Sequence, residues 1–158
     1  MGFIVIYQGL RIDPAKTEAI RNYPRPKTIK QLKRYLGMLS WYRRFLRDFS
    51  KRAEPLMKLT RNDQKFKWAE EQDKAFQELN KLLVEAPMLH RPVSGAEYFL
   101  HCDACDTGLG SVLTQKVDGL ERVIAYASRA LTKSERVYSV TEKECLAVKW
   151  SIEKFRGY

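Results

Sequence analysis

Cysteine is scarce in this sequence: three in 158 residues, an odd number without dense spacing. That excludes a disulfide-stapled secreted scaffold and makes a cytoplasmic or nuclear setting the expectation. Long apolar runs are missing as well. None approaches the roughly twenty residues needed to span a bilayer, so no membrane partner is expected. The apolar start, MGFIVIYQGL, has neither a basic leader nor a small-residue cleavage site, which argues against a signal peptide. Histidine is limited to His90 and His101. The one metal-like spacing, Cys102-x-x-Cys105, has no second pair and reads as ordinary buried thiols rather than a zinc site. There is no internal repeat and no low-complexity segment.

What is present is a globular composition. Hydrophobic residues make up 44%, enough for a packed core in one ordinary domain or two small ones. The net charge of +10 is unevenly placed. Between Arg25 and Lys67 there are fourteen Lys and Arg against three acids (Asp48, Glu54 and Asp63), a net of +11, so the remainder carries −1. A basic excess confined to one region suggests a surface for a polyanion, with nucleic acid the leading partner.

In chain order, Phe3 to Tyr7 reads as a short strand with a turn at Gln8-Gly9. Asp13-Pro14 starts a helix over Ala15 to Asn22, and Pro24-Arg25-Pro26 is a stiff connector. Thr28 caps a longer helix, with Gln31 in the capping-box position and Tyr42-Arg43-Arg44-Phe45 closing it. Its buried stripe is Ile29, Leu32, Leu36 and Leu39. The opposite face carries Lys30, Lys33, Arg34, Gly37, Trp41 and Arg44. A glycine and a large aromatic among cations are unusual on a solvated face. Glycine permits close approach, and tryptophan can stack or insert. Lys33, Gly37 and Trp41 fall in one row. The bland alternative is that a neighbouring helix covers Trp41.

Ser50 caps a short helix to Leu59, Arg61-Asn62-Asp63 is a loop, and Trp68 to Val84 is a helix with acids in its first turn. The pattern then changes. Tyr98 to Asp103, Gly110 to Lys116 and Arg122 to Ser128 read as strands, joined by Asp106-Thr107-Gly108 and by the hairpin signal Asp118-Gly119. Such short links force antiparallel pairing. Ser139 or Thr141 caps a last helix, Glu142 to Phe155, with Leu146, Ala147, Trp150, Ile152 and Phe155 as its apolar positions. Asp103 at the end of its strand suits a metal ligand or general base, and Glu142 and Glu144 open the last helix. Asp106 reads as a turn cap rather than a metal ligand.

Three groups of residues, Asp103-Ala104-Cys105-Asp106-x-Gly108-x-Gly110-Ser111-Val112-Leu113-x-Gln115, Ile124-Ala125-Tyr126-Ala127-Ser128-Arg129, and Tyr138-Ser139-Val140-Thr141-Glu142-Lys143-Glu144-Cys145-Leu146-Ala147, resemble the ribonuclease H region of gypsy-type LTR retrotransposon Pol polyproteins. Upstream, Gly9-Leu10-Arg11-Ile12-Asp13-Pro14-x-Lys16, Pro24-x-Pro26 and Leu36-Gly37-x-Leu39-x-Trp41-Tyr42-Arg43-Arg44-Phe45 are similar to the reverse transcriptase thumb. Phe66-x-Trp68 and Ala75-Phe76-x-x-Leu79 are similar to the joining segment, and Met1-Gly2-Phe3 matches the end of the primer-grip hairpin in part.

The resemblance implies an α+β fold: a helical thumb-like bundle followed by a truncated ribonuclease H-like domain of three antiparallel strands and one helix. It implies residues 1–12 as a remnant hairpin of the polymerase palm and primer grip, 13–86 as helical thumb and connection, and 87–158 as the partial ribonuclease H-like domain. The family activities it implies are RNA-directed DNA polymerase and RNA–DNA hybrid ribonuclease. Asp103 matches the first metal-binding carboxylate and Glu144 the second, with Glu142 a second choice. The cofactor implied for the complete site is Mg²⁺ or Mn²⁺. Lys33, Gly37 and Trp41 match the family's helix row along a template–primer duplex or RNA–DNA hybrid, and Lys30, Arg34 and Arg44 share that face of the wheel. The other implied partners are the remaining polymerase and ribonuclease H parts of the same polyprotein, within a virus-like particle. Further family carboxylates fall beyond Tyr158, so the 158 residues alone are expected not to cleave a hybrid, and an unpaired strand edge points to partial disorder or self-association. The alternative is a catalytically inactive nucleic-acid- or protein-binding remnant.

Overall fold

The computed structural model of the protein describes residues 2–61 and 65–158. Met1, and the Asn62-Asp63 part of the expected loop, lie outside them. Two three-stranded antiparallel sheets and five α-helices make an α+β fold.

β1 (Phe3–Ile6) and β2 (Gly9–Ile12) form a hairpin turning at Tyr7-Gln8. Its third strand is the two-residue β3 (Leu89–His90), far away in sequence, with Gly9 opposite His90 and Leu10 opposite Leu89. A Cβ on Gly9 would overlap the Leu89 carbonyl oxygen, so only glycine lets these backbones meet. The strand pattern does not reveal β3, because two residues are too short for any periodicity.

Asp13 caps α1 (Pro14–Arg21), its carboxylate accepting from the Ala15 amide at 2.9 Å. Thr28 caps α2 (Ile29–Trp41) by accepting from the Gln31 amide at 3.2 Å. The Gln31 side chain accepts from Lys27 rather than from Thr28, one residue away from a standard capping box. Buried Leu32, Tyr35, Leu36 and Leu39 form its inner stripe, and Tyr35 is the large member that the leucine spacing hides. The helix stops at Trp41, and a 3-10 turn, Arg43–Phe45, follows.

α3 (Phe49–Lys58) begins one residue before the expected Ser50 cap. Asp48 precedes it in a left-handed conformation (φ 54°), and Ser50 lies buried inside the helix. α4 is Glu70–Val84, shorter than expected at its start. There the Gln72 side chain accepts from the Ala69 amide at 3.1 Å, and the Trp68 indole donates to Asp73 at 3.1 Å. These helices and the hairpin share one core that includes Phe45, Phe49, Phe76 and Leu79.

The second sheet runs β4 (Tyr98–Ala104), β5 (Gly108–Val117) and β6 (Leu120–Ala130) in that order, all antiparallel. Asp118 and Gly119 both have positive φ, 53° and 76°, as the expected tight hairpin requires. α5 (Val140–Phe155), capped by Ser139, covers one face. Its buried residues Lys143, Ala147, Ser151 and Phe155 recur every four positions. Ile152, one of the helix's apolar positions, is exposed, because that stripe, and not the run of apolar letters, sets the inner face.

The other sheet face meets the helical part. Val123 and Tyr126 of β6 join its core, the Ser50 amide donates to the Ser128 hydroxyl at 3.0 Å, and Arg43 donates to the Ser128 carbonyl. Arg136 and Arg61 both donate to the buried Glu54 carboxylate, at 3.4 and 3.3 Å.

Candidate nucleic-acid interface and hydrolytic carboxylates

On the outer side of α2, Lys30, Lys33, Arg34, Gly37 and Trp41 are all exposed. Trp41 keeps 60% of its surface free, so no helix covers it. It lies flat on Phe3 of the hairpin, ring centroids 5.9 Å apart and planes 8° apart. Phe3 in turn stacks on Phe45 at 5.4 Å and meets the edge of Tyr42 at 5.5 Å. The indole is thus fixed from below and open above. One turn away, nothing lies within 4 Å of the position a Gly37 Cβ would take, so the helix backbone is open to close approach there. Phe3 is a member of this surface that the helical wheel could not show, because it comes from a distant strand.

Arg44 leaves the row. The wheel assumes that the helix continues through it, whereas α2 ends at Trp41. Arg44 instead donates to the Tyr158 hydroxyl at 3.1 Å, beside a cleft at the hairpin.

Asp103 sits near the end of β4, opposite Gly110 of β5. Its neighbours Cys102 and Ala104 pack against the core under α5, so strand alternation turns Asp103 to the other face. There it lines a narrow cleft with Asp48, Lys51 and Ser128. Gly110 makes this possible: a Cβ on it would stand 2.5 Å from an Asp48 carboxylate oxygen. Asp48 and Lys51 come from the start of α3 and carried no signal linking them to Asp103 in the sequence.

Glu144 is exposed on α5, which packs on the sheet face opposite Asp103. Glu142 has a structural task. Its carboxylate accepts from the Ser139 hydroxyl at 2.7 Å and the Ser139 amide at 2.8 Å, closing a capping box. Those bonds hold its pKa below the usual carboxylate range. Between the two glutamates, Lys143 turns inward and donates to Asp106 at 2.9 Å. Asp106 is therefore the partner of a helix lysine rather than a cap for its own turn, which closes through the Cys105 amide and the Gly108 carbonyl. Cys102 and Cys105 are free, half-buried thiols, and Cys105 contacts the Gly108 carbonyl. Among the described residues no three His, Cys, Asp or Glu side chains gather as a metal site, and no helix is long and apolar enough to cross a membrane.

Residues 68–158 match the RNase H-like domain found in reverse transcriptase. The chain belongs to that family. Across its whole length it is 38% identical to the retrovirus-related Pol polyprotein from transposon opus of Drosophila melanogaster, of which it covers 17%. It is 32% identical, again across its whole length, to the corresponding polyprotein from transposon gypsy of the same organism, covering 16%. The chain thus spans less than a fifth of the length of these curated relatives. Its fold superposes on the foamy viral protease–reverse transcriptase dRH in complex with double-stranded DNA. The TM-score is 0.82 at 25% identity, covering 98% of this chain and 27% of that one. The RNase H-like part of the resemblance is thus a family membership, and the chain as a whole is similar to retrotransposon Pol polyproteins.

Proposed function

We propose that this chain is the segment of a retrotransposon Pol polyprotein that holds a template–primer duplex or RNA–DNA hybrid against α2 and supplies part of a hydrolytic site for the RNA strand. The observation that carries the binding half is Trp41, exposed, backed by Phe3 and in one row with Gly37 and Lys33. A rigid aromatic beside an open backbone stretch fits a groove wall, and Lys30, Lys33 and Arg34 fit the flanking phosphates. The solved foamy viral relative was captured on double-stranded DNA, which supports the same partner class.

For hydrolysis, the residues that would hold Mg²⁺ or Mn²⁺ are Asp103 and Glu144. Both are exposed carboxylates of the kind a hard cation takes, but Asp103 faces the α3 side of the sheet while Glu144 stands on α5, which covers the other face, so this structure does not bring the two together. Glu144 is preferred to Glu142 because the latter is engaged in the Ser139 cap. A metal pair held by these residues would supply an activated water and would stabilise the leaving oxygen. The chain's own part is to hold Asp103 on a strand whose register is fixed by pairing with Gly110 and by the docking of α3 at Ser128.

The test uses the full polyprotein and a fluorescent RNA–DNA hybrid. Trp41→Ala weakens binding about tenfold, the range expected for loss of one stacking contact. Asp103→Asn abolishes Mg²⁺-dependent cleavage while binding stays within twofold of wild type. Unchanged binding in the first variant, or persistent cleavage in the second, would overturn the reading.

A further inference from the structure

The cleft beside Arg44 has a chemistry that duplex binding does not use. It measures about 200 Å³ and lies between the β1–β2 hairpin, β3 and β6. Leu10, Leu89 and Ile124 form apolar walls. Arg44, His90 and Arg91 are the ionisable groups that line it with Tyr158, and the lining contains no acid. Among the described residues neither guanidinium has a carboxylate partner. The His90 Nδ1 is shut off from solvent and has no hydrogen-bond partner in the protein.

We propose that this cleft binds a small organic anion: an apolar, ring-sized body carrying one carboxylate or sulfonate. The body would displace water from the Leu10, Leu89 and Ile124 walls. The anionic group would sit between Arg44 and Arg91, where a planar guanidinium can hold two oxygens at once. No side chain in the lining is an acid that would repel it. Burial and the nearby Arg122 both lower the His90 pKa.

The site has a mechanical position as well. Its floor joins Gly9–Leu10 of the hairpin to Ile124 of β6, and the same hairpin carries Phe3 under Trp41. Occupancy would therefore tie the hairpin to the RNase H-like sheet without touching the α2 row.

The experiment is a titration of the ¹⁵N-labelled chain with naphthalene-1-sulfonate, followed by amide shifts. Saturable shifts are expected at Gly9, Leu10, His90 and Arg91. Arg91→Gln, a change at an exposed side chain, should weaken binding at least fivefold, and the neutral analogue 1-naphthol should bind at least fivefold more weakly to the unaltered protein. Shifts centred on another surface would overturn the proposal. So would equal affinity for 1-naphthol, or an unchanged affinity in Arg91→Gln.

Discussion

Lys143 Nζ donates to Asp106 Oδ1 at 2.9 Å, which locks the first turn of α5 to the β4–β5 turn just beyond Asp103. The pair also sets the roll of the helix. With Lys143 inward, Glu142 folds back onto Ser139 and Glu144 points to solvent.

The lysine is almost wholly buried, whereas Asp106 is exposed. Asp106→Asn therefore leaves an ammonium group without its counter-charge, and the thermal midpoint should fall. Lys143→Met in the same background should recover part of that loss, because it removes the stranded charge. Differential scanning calorimetry of the two single variants and the double variant checks this. A double variant less stable than the sum of the singles would contradict it. Since the Asp106 pKa is lowered by Lys143, the pair's contribution is present above the ordinary aspartate range and fades as pH falls below it.

Glu135 gives a sharper pH signature. Arg129 donates to both of its oxygens, at 2.7 and 2.9 Å, and the Thr132 amide adds a third bond at 2.8 Å. Led by the Arg129 bonds, these drive its pKa down from 4.5 to about 2. A depressed carboxylate stabilises the fold above its unfolded-state pKa. That stability is lost as pH falls from about 4.5 towards about 2. Glu135→Gln should cost roughly 1–2 kcal/mol at neutral pH. It should also flatten the loss of stability across that acid window. Urea unfolding at several pH values reads both effects.

Gly9 offers a test of the first sheet. An alanine there places its Cβ against the Leu89 carbonyl, a backbone atom that cannot rotate away. Gly9→Ala should destabilise by about 2 kcal/mol or more, in the range of overpacked sites. Amide exchange at His90 and Arg91 should accelerate, since the Arg91 amide bonds to the Gln8 carbonyl and His90 pairs with Gly9. Unchanged exchange at those two amides would show that β3 does not depend on this approach.

These residues also show where the sequence stops being informative. Local signals carried well: Asp13 and Thr28 as caps, Asp118-Gly119 as a hairpin turn, and the leucine stripe of α2 all depend on neighbours a few residues away. Signals that depend on contact across the fold did not. Ser50 reads as a cap, yet its amide goes to Ser128, 78 residues on. Asp106 reads as a turn residue, yet its partner is 37 residues away. Arg44 fits the α2 wheel only while the helix continues, and the 3-10 turn breaks that periodicity. Phe3 beneath Trp41, and Asp48 and Lys51 beside Asp103, come from elements that only packing brings together.

The central claim, that α2 meets the phosphates of a duplex, is tested most directly by the salt dependence of binding. Affinity for an RNA–DNA hybrid is measured by fluorescence anisotropy across a range of KCl concentrations, for the unaltered chain and for Lys33→Gln/Arg34→Gln. Each phosphate neutralised steepens the plot of log affinity against log salt by a little under one. A steep negative slope is expected, shallower by about two in the double variant. A slope near zero, or an identical slope in both proteins, would contradict it.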